Sequence, residues 1–238
     1  MSGGFTTHPL WRKFQGRPIW VLSLSDTEHR LRDARALICL RDFLPHPKSG
    51  QCTYVWVTLD DNNRLLSQLP SGIPPNAGVV ILGRPALFGS EVDELMKRCR
   101  PSLFYEFASD DPSNASKYRT ILRHATVPSH ASNDFVCPSF AEQRRANAKE
   151  LQDYGIVASG WADNHPIMLL AGTSSVGTWG CVEYATRYPE PFDTCWQENI
   201  QGVIKASVTN TYQAFETVHV EVSEMNGIKL SHNSFFYI

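Results

Sequence analysis

Met168-Leu-Leu-Ala-Gly172-Thr-Ser-Ser-Val-Gly177-Thr-Trp-Gly180-Cys-Val-Glu-Tyr-Ala185 is an apolar run that stops at a glycine, crosses small hydroxyl residues to a second glycine, and enters a helical pattern. In an α/β sheet such a strand–loop–helix passage sets unpaired backbone N–H groups and the positive end of a helix dipole at the carboxyl edge, where anions bind. No standard fingerprint accompanies it. Gly172 and Gly177 have the glycine spacing of a P-loop, but Thr178 stands where that motif needs lysine, and Gly-x-Gly-x-x-Gly is absent. The expected ligand is therefore phosphorylated or nucleotide-like, held by backbone amides and by the hydroxyls of Thr173, Ser174, Ser175 and Thr178. No particular cofactor is implied.

Upstream, apolar strand patterns alternate with helical ones. Pro18 to Leu24 reads as a strand, and Ser25-Asp-Thr-Glu28 as a capping box opening a helix from Thr27 to Phe43. Cys52 to Leu59, Gly78 to Gly83 and Ser102 to Ala108 read as further strands, with a helix from Ser90 through Cys99. Tyr118 to His124 reads as a short helix, and Ser139 opens a capped helix running to about Gln152. Tyr154 to Ser159 and Pro166 to Ala171 are strands leading to the featured loop and the helix Thr178 to Tyr188. The tail, Gly202 to Ser207 and Phe215 to Ile238, alternates as antiparallel strands do, with Phe215, Val218, Val220 and Val222 in one run, and Asn226-Gly227 marks a type I′ hairpin within it.

Continuous apolar strands imply a sheet covered on both faces, which is the habit of parallel sheets. The expected fold is thus α/β: a mainly parallel, Rossmann-like sheet with helices on both faces and a C-terminal antiparallel hairpin. Strands ending at Leu24, Leu59, Leu82, Ala108 and Ala171 should lie side by side. Residues 1–138 form an N-terminal Rossmann-like half and residues 139–238 a C-terminal βα half, the two merging into one domain if the sheet is continuous.

Composition narrows the partners. A net charge of −2 and runs of at most two adjacent basic residues speak against nucleic acid. No apolar run is long enough to span a bilayer, and six scattered cysteines without a Cys-x-x-Cys pair suit a reducing compartment. A cytoplasmic protein that avoids membranes is expected. The eight histidines show no metal-ligand spacing, so no metal site is expected.

Gly83-Arg84 follows the third strand, where a guanidinium can pair with a phosphate in the crevice. Asp60 ends the second strand, a position suited to holding a ribose diol. Glu106 lies between Tyr105 and Phe107 in a strand expected to be buried, which would desolvate it and suit it to acid catalysis on a glycosidic bond. Trp161 and Trp179 flank the second site and could stack on a base. Three readings follow. The first is a binder of the phosphorylated ligand, with cleavage of that ligand as a hydrolase or glycosidase as its enzymatic form. Another is a sensor or assembly subunit, homo-oligomeric or docking a protein through its C-terminal hairpin. An acyl-transfer hydrolase using Ser174 or Ser175 is the weakest, being one residue off the nucleophile elbow.

Overall fold

The computed structural model describes residues 5, 8–25, 33–46, 49–58, 72–88, 90–109, 120–125, 135–187, 200–209, 218–225, 228–229 and 235–236. Four strands run parallel side by side in the order β2 (Cys52–Thr58), β1 (Ile19–Ser25), β3 (Gly78–Leu82) and β7 (His165–Gly172). There the parallel pairing stops. On its other side β7 pairs antiparallel with β6 (Glu150–Ala162), β6 with β8 (Gln201–Thr209), and β8 with β9 (His219–Met225). Two short strands, β10 (Ile228–Lys229) and β11 (Phe235–Phe236), both pair with β9 and complete a nine-stranded mixed sheet.

The mainly parallel, Rossmann-like expectation is therefore corrected, and the reason is physical. β6 is apolar because it lies in the middle of the sheet with both faces covered, not because its neighbours run parallel, while β8 and β9 pair antiparallel as their alternation implies. The strand β4 (Tyr105–Ser109) is a second correction. It leaves the main sheet and pairs antiparallel with β5 (Thr120–His124) in a separate ribbon, where a helix was expected over 118–124. The turn at Asn226-Gly227 lies outside the described residues, although Met225 and Ile228 on either side pair.

The two faces are covered differently. A 3₁₀ helix (Pro9–Phe14), α1 (Ala34–Phe43) and α4 (Ser175–Arg187) pack Trp11, Phe14, Leu37, Leu40 and Val182 against Val80, Met168, Leu170, Val157 and Ile204. The Trp11 indole N–H, fully buried, donates to the Ala185 carbonyl at 2.8 Å and ties the N-terminal segment to α4. On the opposite face lie the eight-residue α2 (Ser90–Lys97) and the β4–β5 ribbon, through Val92, Leu95, Tyr105 and Leu122. That second layer is as much ribbon as helix. A last helix, α3 (Phe140–Arg145), opens on the Ser139–Glu142 capping box. It stops well before Gln152, with Asn147 at φ +52° and the chain already in β6 from Glu150. Residues of the two expected halves share both cores, and β3 of the first half pairs directly with β7 of the second. Among the described residues no helix is long and apolar enough to cross a membrane.

His8, just before the 3₁₀ helix, accepts the Leu10 N–H at Nδ1 and is 4% exposed. Burial lowers its pKa from 6.5 to about 4. The fold thus favours the neutral ring, while the unfolded chain takes up a proton near 6.5. This contribution to stability is complete above pH 6.5 and is lost as pH falls towards 4. We predict that His8→Gln flattens that part of the stability curve in denaturant titrations at stepped pH. Parallel losses in variant and wild type over that interval would exclude His8 as their source.

Candidate functional site

β6 outruns β7. Their pairing ends at Gly155 opposite Gly172, so the earlier residues of β6 continue past the end of β7 and beside the turn into α4. Residues 151, 155 and 157 alternate onto the face that carries α4, and Asp153 falls in the same series. Its carboxylate, 3% exposed, accepts four hydrogen bonds. Oδ2 takes the Ser174 N–H at 2.8 Å, the Ser174 hydroxyl at 2.6 Å and the Gly177 N–H at 2.7 Å, and Oδ1 takes the Thr173 hydroxyl. Burial raises the Asp153 pKa, and the bonds from Ser174, Thr173 and Gly177 pull it back. Gly177 is required here, because a Cβ would strike the Tyr154 carbonyl and the Asp153 carboxylate.

The amides expected to cradle a phosphate are therefore largely committed within the chain. Gly172 N–H donates to the Thr178 hydroxyl at 3.0 Å and Thr173 N–H to the Tyr154 carbonyl at 2.8 Å, while Ser174 and Gly177 serve Asp153. The helix N-terminus does hold an anion, but the anion is Asp153. Ser174 Oγ also accepts the Val176 N–H at 3.3 Å, which suits a capping hydroxyl better than an acyl nucleophile.

The loop nevertheless opens onto a cavity of about 350 Å³. Gly172, Thr173, Ser174, Ser175 and Thr178 form one side, and Gly83 and Arg84 another. Leu24 at the end of β1 and the buried Asp33 before α1 complete it. Gly83, at φ +113°, turns the chain out of β3 in a conformation few other residues adopt, with its N–H on the Leu170 carbonyl at 3.0 Å. The cavity lies where chain order reverses, since β1 leads to β2 on one side while β3 neighbours β7 on the other. Ligands in open sheets collect at such points.

Gly177 lies behind the loop rather than in the cavity lining, and Asp60 lies outside the described residues. Glu106 is a correction. It sits exposed on the β4–β5 ribbon, paired with Arg123 through Nε at 2.7 Å and Nη2 at 2.6 Å, and does not line the cavity. The alternation of β4 turns Tyr105 inward and Glu106 outward, so its aromatic neighbours do not desolvate it. Two acids were missed. Asp153 left no local signal because its partners lie twenty and more residues away, and Asp33 stood inside a segment read as helix. Among the described residues no cluster of His, Cys, Asp and Glu could hold a metal ion. No family model, curated protein or solved structure matches the chain.

Asp153→Asn keeps one acceptor for the α4 amides but turns an NH₂ group towards a donor. Stranding a buried hydrogen-bonding group costs about 1–3 kcal/mol, so urea unfolding of Asp153→Asn should show a loss of that size. A loss below about 0.5 kcal/mol, the range of ordinary surface changes, would mean the carboxylate does not hold the loop.

Proposed function

We propose that the protein binds a small phosphorylated or nucleotide-like ligand in the cavity at the carboxyl edge of β1, β3 and β7, with Arg84 as the group that meets the phosphate. The supporting observation is the convergence of Arg84 with the Thr173–Ser175 turn around one cavity at the point where the strand order reverses. Its volume, about 350 Å³, lies at the lower end of the ~300–1,000 Å³ common for ligand pockets.

The hydroxyls refine this proposal. Thr173 and Ser174 each donate a proton to Asp153, so towards the cavity their oxygens present lone pairs. They suit the hydroxyl or N–H groups of a ligand and repel its anionic oxygens. Recognition of negative charge then falls to Arg84, joined by the exposed hydroxyl of Ser175. Binding, rather than cleavage of a glycosidic bond, is what these side chains support, because the acid expected to drive cleavage lies on the outer ribbon. A reducing, cytoplasmic setting belongs to the same proposal and accords with Cys39, Cys52, Cys99, Cys137 and Cys181 being thiols rather than disulfides.

Ribose 5-phosphate, titrated calorimetrically into the full chain, provides the test. A hydrogen bond to a charged group contributes about 1.5–3 kcal/mol, so Arg84→Ala should weaken binding roughly 10- to 150-fold. Arg84→Lys should retain part of the affinity through its charge. Equal affinity in wild type and Arg84→Ala, or no uptake of the sugar phosphate by either, would overturn the proposal.

A further inference from the structure

A second cavity, about 250 Å³, adjoins the first and shares Asp33 and Ser175 with it. Its character is different. Phe140 of α3 and Val176 and Trp179 of α4 give it mainly apolar walls, and Arg35 stands at its side with its guanidinium carbon 5.8 Å from the Trp179 ring centre. The indole cannot swing freely, because its N–H donates to Glu183 Oε1 at 3.1 Å and the ring is 4% exposed. Phe140 is held at the start of α3 by the Ser139–Glu142 capping box. The space between them is thus pre-formed and lined by aromatic groups, and it shares Asp33 and Ser175 with the polar chamber that carries Arg84.

We propose that the two cavities are one bipartite site for a nucleoside monophosphate, which rests on the function proposed above and specifies its ligand. The base occupies the apolar cavity beside Trp179 and Phe140, the phosphate meets Arg84, and the sugar hydroxyls meet Asp33 between them. Asp33 is suited to that middle place. It precedes α1 and lines both cavities. Its Oδ2 lies only 3.8 Å from where a Cβ on Gly83 would stand, so the carboxylate reaches across to the turn after β3. A carboxylate set between a base pocket and a phosphate pocket accepts the protons of a ribose diol.

The test compares adenosine 5′-monophosphate, adenosine, ribose 5-phosphate and inorganic phosphate as probes of the full chain, by calorimetry and tryptophan fluorescence. Stacking and burial of the base should make the nucleotide bind at least about tenfold more tightly than ribose 5-phosphate. It should also alter an emission component that Trp179→Phe removes. Ala34→Phe, which fills the apolar cavity from its rim without removing core side chains, should abolish the nucleotide's advantage and leave ribose 5-phosphate affinity unchanged. Asp33→Asn should weaken adenosine 5′-monophosphate more than its 2′-deoxy form. Equal affinity for nucleotide and ribose 5-phosphate, or an Ala34→Phe protein that binds the nucleotide as well as wild type, would overturn the bipartite site while leaving the phosphate chamber standing. Failure of every phosphorylated probe would overturn both.

Discussion

The carboxylate of Asp153 is the constraint on which the ligand-facing edge depends. Two short bonds from Ser174, one from Gly177 in the first turn of α4 and one from Thr173 fix how the chain leaves β7. They also place a negative charge against the positive end of a thirteen-residue helix, where the dipole favours it. Burying a carboxylate is costly unless every lone pair is used, and here both oxygens are engaged. The same bonds decide the polarity of the neighbouring chamber. Because Thr173 and Ser174 give their protons inward, the chamber receives oxygens without protons from them, and positive charge must come from another strand. Arg84 supplies it from the end of β3.

Neither half of the sheet makes this arrangement alone. The parallel half, β2 to β7, provides the open carboxyl edge and the reversal of strand order between β1 and β3. The antiparallel half provides the extension of β6 beyond β7, and a parallel neighbour would not bring residue 153 back to that turn. β7 belongs to both halves, which is why its loop is the place where the two meet. A glycine at position 177 lets the helix approach the β6 backbone closely enough for its N–H to reach Asp153 at 2.7 Å. Sheet topology, one acid and one glycine thus act together.

The turn at Gly172–Thr178 and the approach of Gly83 and Arg84 to it were legible because each follows an apolar run ending at a glycine. Strand pairing was less legible, since a fully buried strand has the same composition whichever way its neighbours run. β6 carried no signal that separates antiparallel from parallel, whereas the alternation over 202–207 and 215–222 pointed to antiparallel strands, as β8 and β9 are. Glu106 was legible in principle. Tyr105 and Glu106 alternate, as a half-covered ribbon requires, and period-two alternation should have outweighed the attraction of an acid among aromatics. Residues 118–124 were misread because a five-residue strand carries too little pattern to distinguish it from a helical turn. Asp153 was illegible, because its role exists only once β6 and β7 are in register.

The two buried acids near the loop illustrate how a local rule gives way at a site. Asp153 follows the expected physics in a non-local form, since a helix N-terminus takes a carboxylate, here from a neighbouring strand. Asp33 departs from it. An N-cap aspartate ordinarily stabilises its helix by about 1 kcal/mol through a bond to the first-turn amides, and α1 forgoes that bond. The stability of α1 comes from elsewhere, through Ala36, Leu37 and Leu40 packed under α4. The Asp33 carboxyl group belongs to a residue that borders both cavities. Sequences keep local preference and tertiary structure in agreement almost everywhere, and the places where they diverge concentrate at ligand sites. Asp33, which leaves the α1 cap unmade and lines both cavities, is such a place.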